Sequence, residues 1–194
     1  MIENVRTAVK LILVGLLLSV SVGAKACQPE PVEEDESYCQ TMRSYDYIAI
    51  KGGHNKVTWP TITSGSATAL GLVIGHRFSD LFSVEFEYMS YGTYSTPAAS
   101  LHATAVGLSA LHIYQMSENF GIYGRLGLDY SRVTDGNIGL AGSLFFPAYA
   151  LGAEYSINKD ISLRLGFDAH RLNVDRTARS ARSRLGCLSI LYKY

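Results

Sequence analysis

The chain has 194 residues and a formal charge of zero, with 17 lysines and arginines against 17 aspartates and glutamates. That length suits one domain. The arginine cluster of Arg171, Arg176, Arg179, Arg182 and Arg184 lacks interleaved aromatics, which argues against nucleic-acid binding, and the chain carries neither a phosphate loop nor a dinucleotide fingerprint at a strand-to-helix junction.

A charged start ending at Lys10 leads into an apolar core from Leu11 to Val22. A core of about a dozen residues is too short for a spanning helix, which needs roughly 20. Ala24-Lys25-Ala26 follows as a small-x-small cleavage site, so residues 1–26 read as a secretory signal peptide removed after Ala26. Cys27 comes next, but Lys25 stands where a lipoprotein signal needs a small neutral residue, so ordinary cleavage is expected. No later segment is long and apolar enough for a membrane helix. Any membrane residence must come from strands.

Residues 27–44 read as an acidic, flexible periplasmic segment carrying Glu30, Glu33, Glu34, Asp35 and Glu36. Cys27 and Cys39 flank the acidic run, where they either close a small disulfide loop in an oxidising compartment or stay as free thiols.

From Tyr45 onward apolar and polar residues alternate with period two, punctuated by turn signals. A first strand is expected from Asp46 to Lys56 and a second from Ala67 to Phe78. Ser79-Asp80 then leads into a third, Leu81 to Tyr88. A fourth runs from Leu101 to Gln115, and Ser117-Glu118-Asn119 leads into a fifth, Phe120 to Tyr130. A sixth spans Pro147 to Ile157, Asn158-Lys159-Asp160 leads into a seventh, Ile161 to Asp168, and an eighth runs from Ser183 to Tyr194. The turn-plus-strand unit recurs about every 40 residues, which suits a repeated pair of long strands with their connections. Most of these strands reach the roughly 9 to 11 residues that cross a bilayer at a tilt.

Between the hairpins lie longer stretches rich in turn residues: Thr58 to Ser66, Gly92 to Ser100, Thr134 to Phe145 and Asp175 to Arg182. Short turns at one end and longer loops at the other are the asymmetry of an outer-membrane barrel, and an even strand count puts both ends of the domain on the periplasmic side. The expected fold is therefore an all-β, eight-stranded antiparallel up-and-down transmembrane barrel over residues 45–194. Closure also accounts for the last strand, with Leu188, Ile190, Tyr192 and Tyr194 on one face, because an open edge of that kind would be sticky.

Alternation assigns the two faces. Val84, Phe86 and Tyr88, Ile122, Leu126, Leu128 and Tyr130, Tyr149, Leu151, Tyr155 and Ile157, and Leu163, Leu165 and Phe167 would face lipid. The opposite faces carry Glu85, Glu87, Arg125, Asp129, Glu154, Arg164 and Asp168. Eight strands enclose an interior just wide enough for side chains to fill. Charges inside must find partners, so these residues read as an internal salt-bridge network. Cys187 alternates with the outward residues of its strand and is expected to face inward.

The leader, the eight strands, the turn-plus-strand recurrences and the aromatic last strand together resemble the OmpA/OmpX-like outer-membrane β-barrel family. Tyr47-Ile48-Ala49-Ile50-Lys51-Gly52-Gly53 is similar to the glycine- and lysine-bearing first strand common there. Gly186, Leu188, Ile190, Tyr192 and Tyr194 resemble the signal by which the outer-membrane assembly machinery recognises its clients, with Tyr194 in place of the family's usual Phe. The resemblance implies residence in the outer membrane of a Gram-negative bacterium. No segment follows Tyr194, so the peptidoglycan-binding domain of some family members is not expected.

The expected function is a small, non-catalytic barrel with a structural or surface-interaction role and no cofactor. Its last loop gathers Arg176, Arg179 and Arg182, and arginine pairs bidentately with phosphate, so contact with the phosphates of lipopolysaccharide is expected there. One alternative is a lipid A-modifying enzyme of the deacylase kind, for which His102 and Thr104 share a face at the outer end of a strand. A narrow porin-like channel is the other. His54, His76, His112 and His170 lack metal-ligand spacing, and no metal is expected.

Overall fold

Period-two alternation becomes eight antiparallel strands that close on themselves in the computed structural model, which describes residues 44–58, 65–95, 100–135, 142–173 and 180–194. The strands are β1 (Tyr45–Thr58), β2 (Gly65–Ser79), β3 (Phe82–Ser95), β4 (Ser100–Gln115), β5 (Phe120–Asp135), β6 (Gly142–Ser156), β7 (Ile161–Asn173) and β8 (Ser180–Lys193). Each pairs with its neighbours in the chain, and β8 returns to β1, with Tyr47 opposite Lys193 at one end and Thr58 opposite Arg182 at the other. No strand edge is left open along the seam. The expected signal peptide, acidic segment and Cys27–Cys39 pair lie outside the described residues.

Local chemistry sets the tight turns. Asn158 Oδ1 accepts hydrogen bonds from the Asp160 N–H at 2.9 Å and the Ile161 N–H at 2.7 Å, the side-chain mimicry of a backbone turn that favours Asn there. Ser117 Oγ accepts from the Phe120 N–H at 3.2 Å in the same way. These turns sit at the end of the barrel where β1 begins. Thr58, Gly65, Ser95, Ser100, Asp135, Gly142, Asn173 and Ser180 end their strands at the other end of the barrel.

Every strand runs further toward the loops than alternation indicates, β3, β5, β6 and β7 by five residues or more. β3 continues to Ser95 through a bulge between Ser90 and Thr93, where Gly92 adopts φ +80°. A Cβ at Gly92 would lie 2.5 Å from the Thr68 carbonyl oxygen, so glycine is required by both conformation and space. The extra residue puts Tyr91 and Tyr94 on the inside together, which breaks period two and makes a continuing strand look like a loop. β6 begins at Gly142, with Pro147 inside it opposite Leu128 of β5. Its ladder to β7 starts only at Tyr149, two residues past a proline that has no N–H to give. β8 begins at Ser180, so Arg182 belongs to the wall and not to the loop.

Outside, Ile50, Leu70, Leu72, Phe86, Leu126, Leu151, Leu165, Phe167, Leu188 and Ile190 are all exposed and form a continuous apolar band. A water-soluble monomer rarely shows so much contiguous apolar surface. As the lipid-facing belt of a barrel it is the expected surface.

The inside is filled in layers. Toward the loops an apolar plug packs Val57, Met89, Tyr91, Tyr94, Leu172 and Leu185 with their neighbours. Midway and toward the turns the fill is charged. Smaller apolar groups, one around Tyr47 and Leu191 and one around Leu111 and Ile113, line the turn end. Cys187 is buried in the wall of the plug, its Sγ donating to the Gly166 carbonyl at 3.4 Å.

Candidate functional site

The middle of the barrel is crossed by two charge clusters. In the first, Lys51 on β1, Glu87 on β3, Arg125 on β5 and Asp168 on β7 project inward from alternate strands. Lys51 Nζ lies 3.0 Å from Glu87 Oε2 and is also paired with Asp168. Arg125 pairs with Glu87 and reaches Asp168 Oδ2 at 2.8 Å. Each cation touches both anions, which closes a neutral ring.

The second cluster sits nearer the turns. Glu154 accepts from Arg77 Nη1 at 2.8 Å and from Arg164 Nε at 2.7 Å. Arg164 also pairs with Glu85, and Glu85 Oε1 accepts a hydrogen bond from the Tyr47 hydroxyl at 2.5 Å. The Arg164 guanidinium lies over the Tyr47 ring at 5.2 Å and the Tyr123 ring at 5.4 Å, a contact in which ring faces attract the cation. The cavity left among Lys51, Glu85, Glu87, Arg125, Arg164 and Asp168 is about 20 Å³, the room of a single water molecule.

All seven charged residues assigned inward by alternation are buried there. Six of them join these ion pairs. Asp129 does not form one among the described residues, and lies instead over the Gly107 backbone, where an added Cβ would meet its Oδ1 at 2.2 Å. Sequence reasoning left out Lys51 and Arg77. A signal was available: five inward acids stood against two inward arginines, and Lys51 and Arg77 share the inward parity of their strands.

The candidate pair His102 and Thr104 falls on the outer surface. Both point outward on β4, but His102 Nδ1 lies 3.4 Å from Thr93 Oγ1 on the next strand, and no hydrogen bond joins it to Thr104. The connectivity of a nucleophile, base and acid occurs elsewhere, at the turn end: Ser44 Oγ is 3.2 Å from His76 Nε2, and His76 Nδ1 is 2.7 Å from Asp46 Oδ1. His170 is buried against the Tyr91 ring at 4.4 Å. Among the described residues no group of His, Cys, Asp and Glu is arranged to hold a metal ion.

Arg176 and Arg179 lie outside the described residues. Arg182 is exposed on β8, directly opposite Arg171 of β7 on one side and Thr58 of β1 on the other. The closing strand is fastened at both flanks, by Tyr194 N–H to the Asp46 carbonyl at 3.0 Å and by Lys193 N–H to the Asp160 carbonyl at 2.7 Å. Leu188, Ile190, Tyr192 and Tyr194 all face outward.

A closed eight-stranded sheet with an apolar outside, a charged and filled inside, and short turns at one end defines a transmembrane β-barrel of the outer-membrane type. The chain belongs to the outer membrane protein beta-barrel domain family, which matches residues 12–182, and it is an outer-membrane protein of a Gram-negative bacterium. Compared by sequence with curated proteins, it finds no match.

Among solved structures, Neisserial surface protein A superposes with a TM-score of 0.69 at 17% identity, covering 77% of this chain and 97% of that one. Ail, the attachment invasion locus protein of Yersinia pestis, gives 0.55 at 14% identity, covering 79% of this chain and all (100%) of that one. OprG from Pseudomonas aeruginosa gives 0.52 at 14% identity, covering 79% and 97%. At these identities the likeness is one of fold.

Proposed function

We infer that this protein is a small, non-catalytic barrel that acts through its outer surface, meeting lipopolysaccharide phosphates at the basic end of β8 and the loop before it. The observation that carries this reading is the filled interior. Two interlocked ionic clusters and an apolar plug leave a cavity of about 20 Å³ between the charges, so passage of solutes is not what the barrel is built for. What remains for function is the surface. Arg176, Arg179 and Arg182 lie close together in sequence, and guanidinium forks suit phosphate oxygens. The outward residues of β8, Leu188, Ile190, Tyr192 and Tyr194, would serve the assembly machinery during insertion.

The test replaces Arg176, Arg179 and Arg182 together by Gln and measures lipopolysaccharide binding by the folded protein. Binding should fall; binding equal to the wild type would remove the loop contact.

A hydrolytic reading has one observation in its favour, the Ser44–His76–Asp46 chain. It lies at the turn end, which faces the periplasm, away from the leaflet where lipid A resides. We read it as a clasp tying the start of β1 to β2. A serine-directed fluorophosphonate should leave the protein unlabelled, and lipid A mass spectra should be the same with and without the protein. Labelling that disappears in Ser44→Ala would reinstate the enzyme.

A further inference from the structure

We propose that Lys56, Arg171, Arg182 and Arg184 form a lipid-facing phosphate site on the barrel wall, spanning β7, β8 and β1, for the phosphorylated glucosamine headgroup of lipopolysaccharide. The proposal deepens the surface reading above and rests on it, but moves the contact from the loop to the wall.

The register assembles the site from three strands. Arg182 stands directly opposite Arg171, and Arg184 directly opposite Lys56. All four side chains are exposed on the outside of the barrel. Residues facing each other across a strand pair have Cβ atoms about 4.5–5.5 Å apart, and like charges so placed repel. Two such like-charged pairs stand side by side here. Among the described residues none of the four has an ion-pair partner, and none of the acids with described side chains lies on the outer face of this end. An anion held between the pairs would offset this repulsion.

Position says which anion. Moving toward the turns, the outward residues become Ala169 and Phe167 on β7, Gly186, Leu188 and Ile190 on β8, and His54, Gly52 and Ile50 on β1. The four cations therefore sit just above the apolar band, at headgroup depth. They are also confined to one end. At the turn end the exposed acids Asp46, Glu118 and Asp160 outnumber Lys159, the one exposed lysine or arginine there among the described residues, so the two interfaces are not equally basic. The loop end faces the outer leaflet, whose headgroups bear phosphates on a sugar pair. Two rows of cations, three of them guanidinium forks, match two phosphates.

The experiment uses the full folded protein in phosphatidylcholine nanodiscs doped with diphosphoryl lipid A, dephosphorylated lipid A or phosphatidylglycerol. Lipid retained per barrel after mild detergent extraction is counted by native mass spectrometry. The combined variant Lys56→Gln, Arg171→Gln, Arg182→Gln and Arg184→Gln is compared with Arg176→Gln plus Arg179→Gln. The wall variant should lose diphosphoryl lipid A by more than about tenfold, and each single Gln variant by about fivefold, as expected for one cation at a headgroup surface. The singles carry the test if the combined variant does not fold. The loop variant should retain lipid A within about twofold of wild type, while dephosphorylated lipid A and phosphatidylglycerol should be retained weakly by all.

Wild-type retention by the wall variants overturns the site. If the loop variant then loses lipid A, the loop reading survives without the wall; if neither variant loses it, both readings fall. Strong wild-type retention of phosphatidylglycerol that the wall variant abolishes would also overturn the proposal, by showing a general anionic anchor.

Discussion

Arg77 on β2 and Glu154 on β6 meet at 2.8 Å inside the barrel, 77 positions apart in the chain. Glu154 also receives Arg164 at 2.7 Å, so one carboxylate holds two guanidinium groups in a medium that cannot solvate them. Removing it leaves Arg77 without an ion-pair partner and Arg164 with Glu85 alone. Glu154→Ala should therefore destabilise the barrel by about 3–5 kcal/mol, the cost of leaving a buried charge unpaired. Urea titration in lipid vesicles, followed by the mobility difference between heated and unheated protein, would measure it.

The upper ring behaves differently if it is removed whole. Replacing Lys51, Glu87, Arg125 and Asp168 together by Met or Leu of similar volume removes the desolvation cost along with the attraction. Stability should stay within about 2 kcal/mol of wild type or rise, because buried ion pairs often break even against packed apolar groups. A loss as large as that of Lys51→Ala alone would mean the ring contributes stability and not only register.

Much of this barrel was legible because lipid and lumen make opposite demands on alternate residues. That rule assigned the facing of Phe86, Leu126, Leu165 and Ile190, and of every charged residue in the two clusters that alternation considered. It stops where the demand stops. Above the lipid band the outward residue need not be apolar, so Arg182 reads as the end of a loop although it faces out from β8 beside the inward Ala181 and Ser183. Gly92 defeats period two from within the strand, since a bulge is a backbone event that the pattern registers only as a break. Which cation meets which carboxylate depends on register around the whole barrel, and no local pattern encodes the Arg77–Glu154 pair.

The bulge itself is testable. Gly92 combines φ +80° with a Thr68 carbonyl 2.5 Å from where a Cβ would stand. Gly92→Val should cost about 1–3 kcal/mol, the range for a side chain held in a left-handed conformation. The change should be local. Hydrogen exchange should quicken at the loop ends of β2, β3 and β4 and stay unchanged at the turn end.

Conductance separates a filled barrel from a pore. Reconstituted in a planar bilayer, the wild type should show no steady openings. Breaking the ring with Glu87→Ala should leave that result unchanged, because Tyr91, Tyr94 and Leu172 still pack the plug above it. Opening should require the plug to be removed as well, for instance by adding Tyr91→Ala and Tyr94→Ala. Steady conductance from the wild type, or from Glu87→Ala alone, would refute a plug formed by these side chains.

The closing strand makes the last prediction. Tyr194 donates its N–H to the Asp46 carbonyl at 3.0 Å, and its ring stacks on Tyr192 with centroids 6.5 Å apart. The backbone bond does not depend on the side chain, so Tyr194→Ser should refold into detergent or vesicles with nearly wild-type stability, as surface substitutions usually do, within about 0.5 kcal/mol. In cells the outcome should differ. If the assembly machinery reads the outward aromatics of β8, Tyr192→Ser with Tyr194→Ser should lower the amount of heat-modifiable barrel in the outer membrane and leave unfolded chain in the periplasm. Tyr194→Phe should assemble like wild type. Equal losses in refolding and in cells would instead assign the two tyrosines to stability, and no loss in either would dismiss them as a recognition signal.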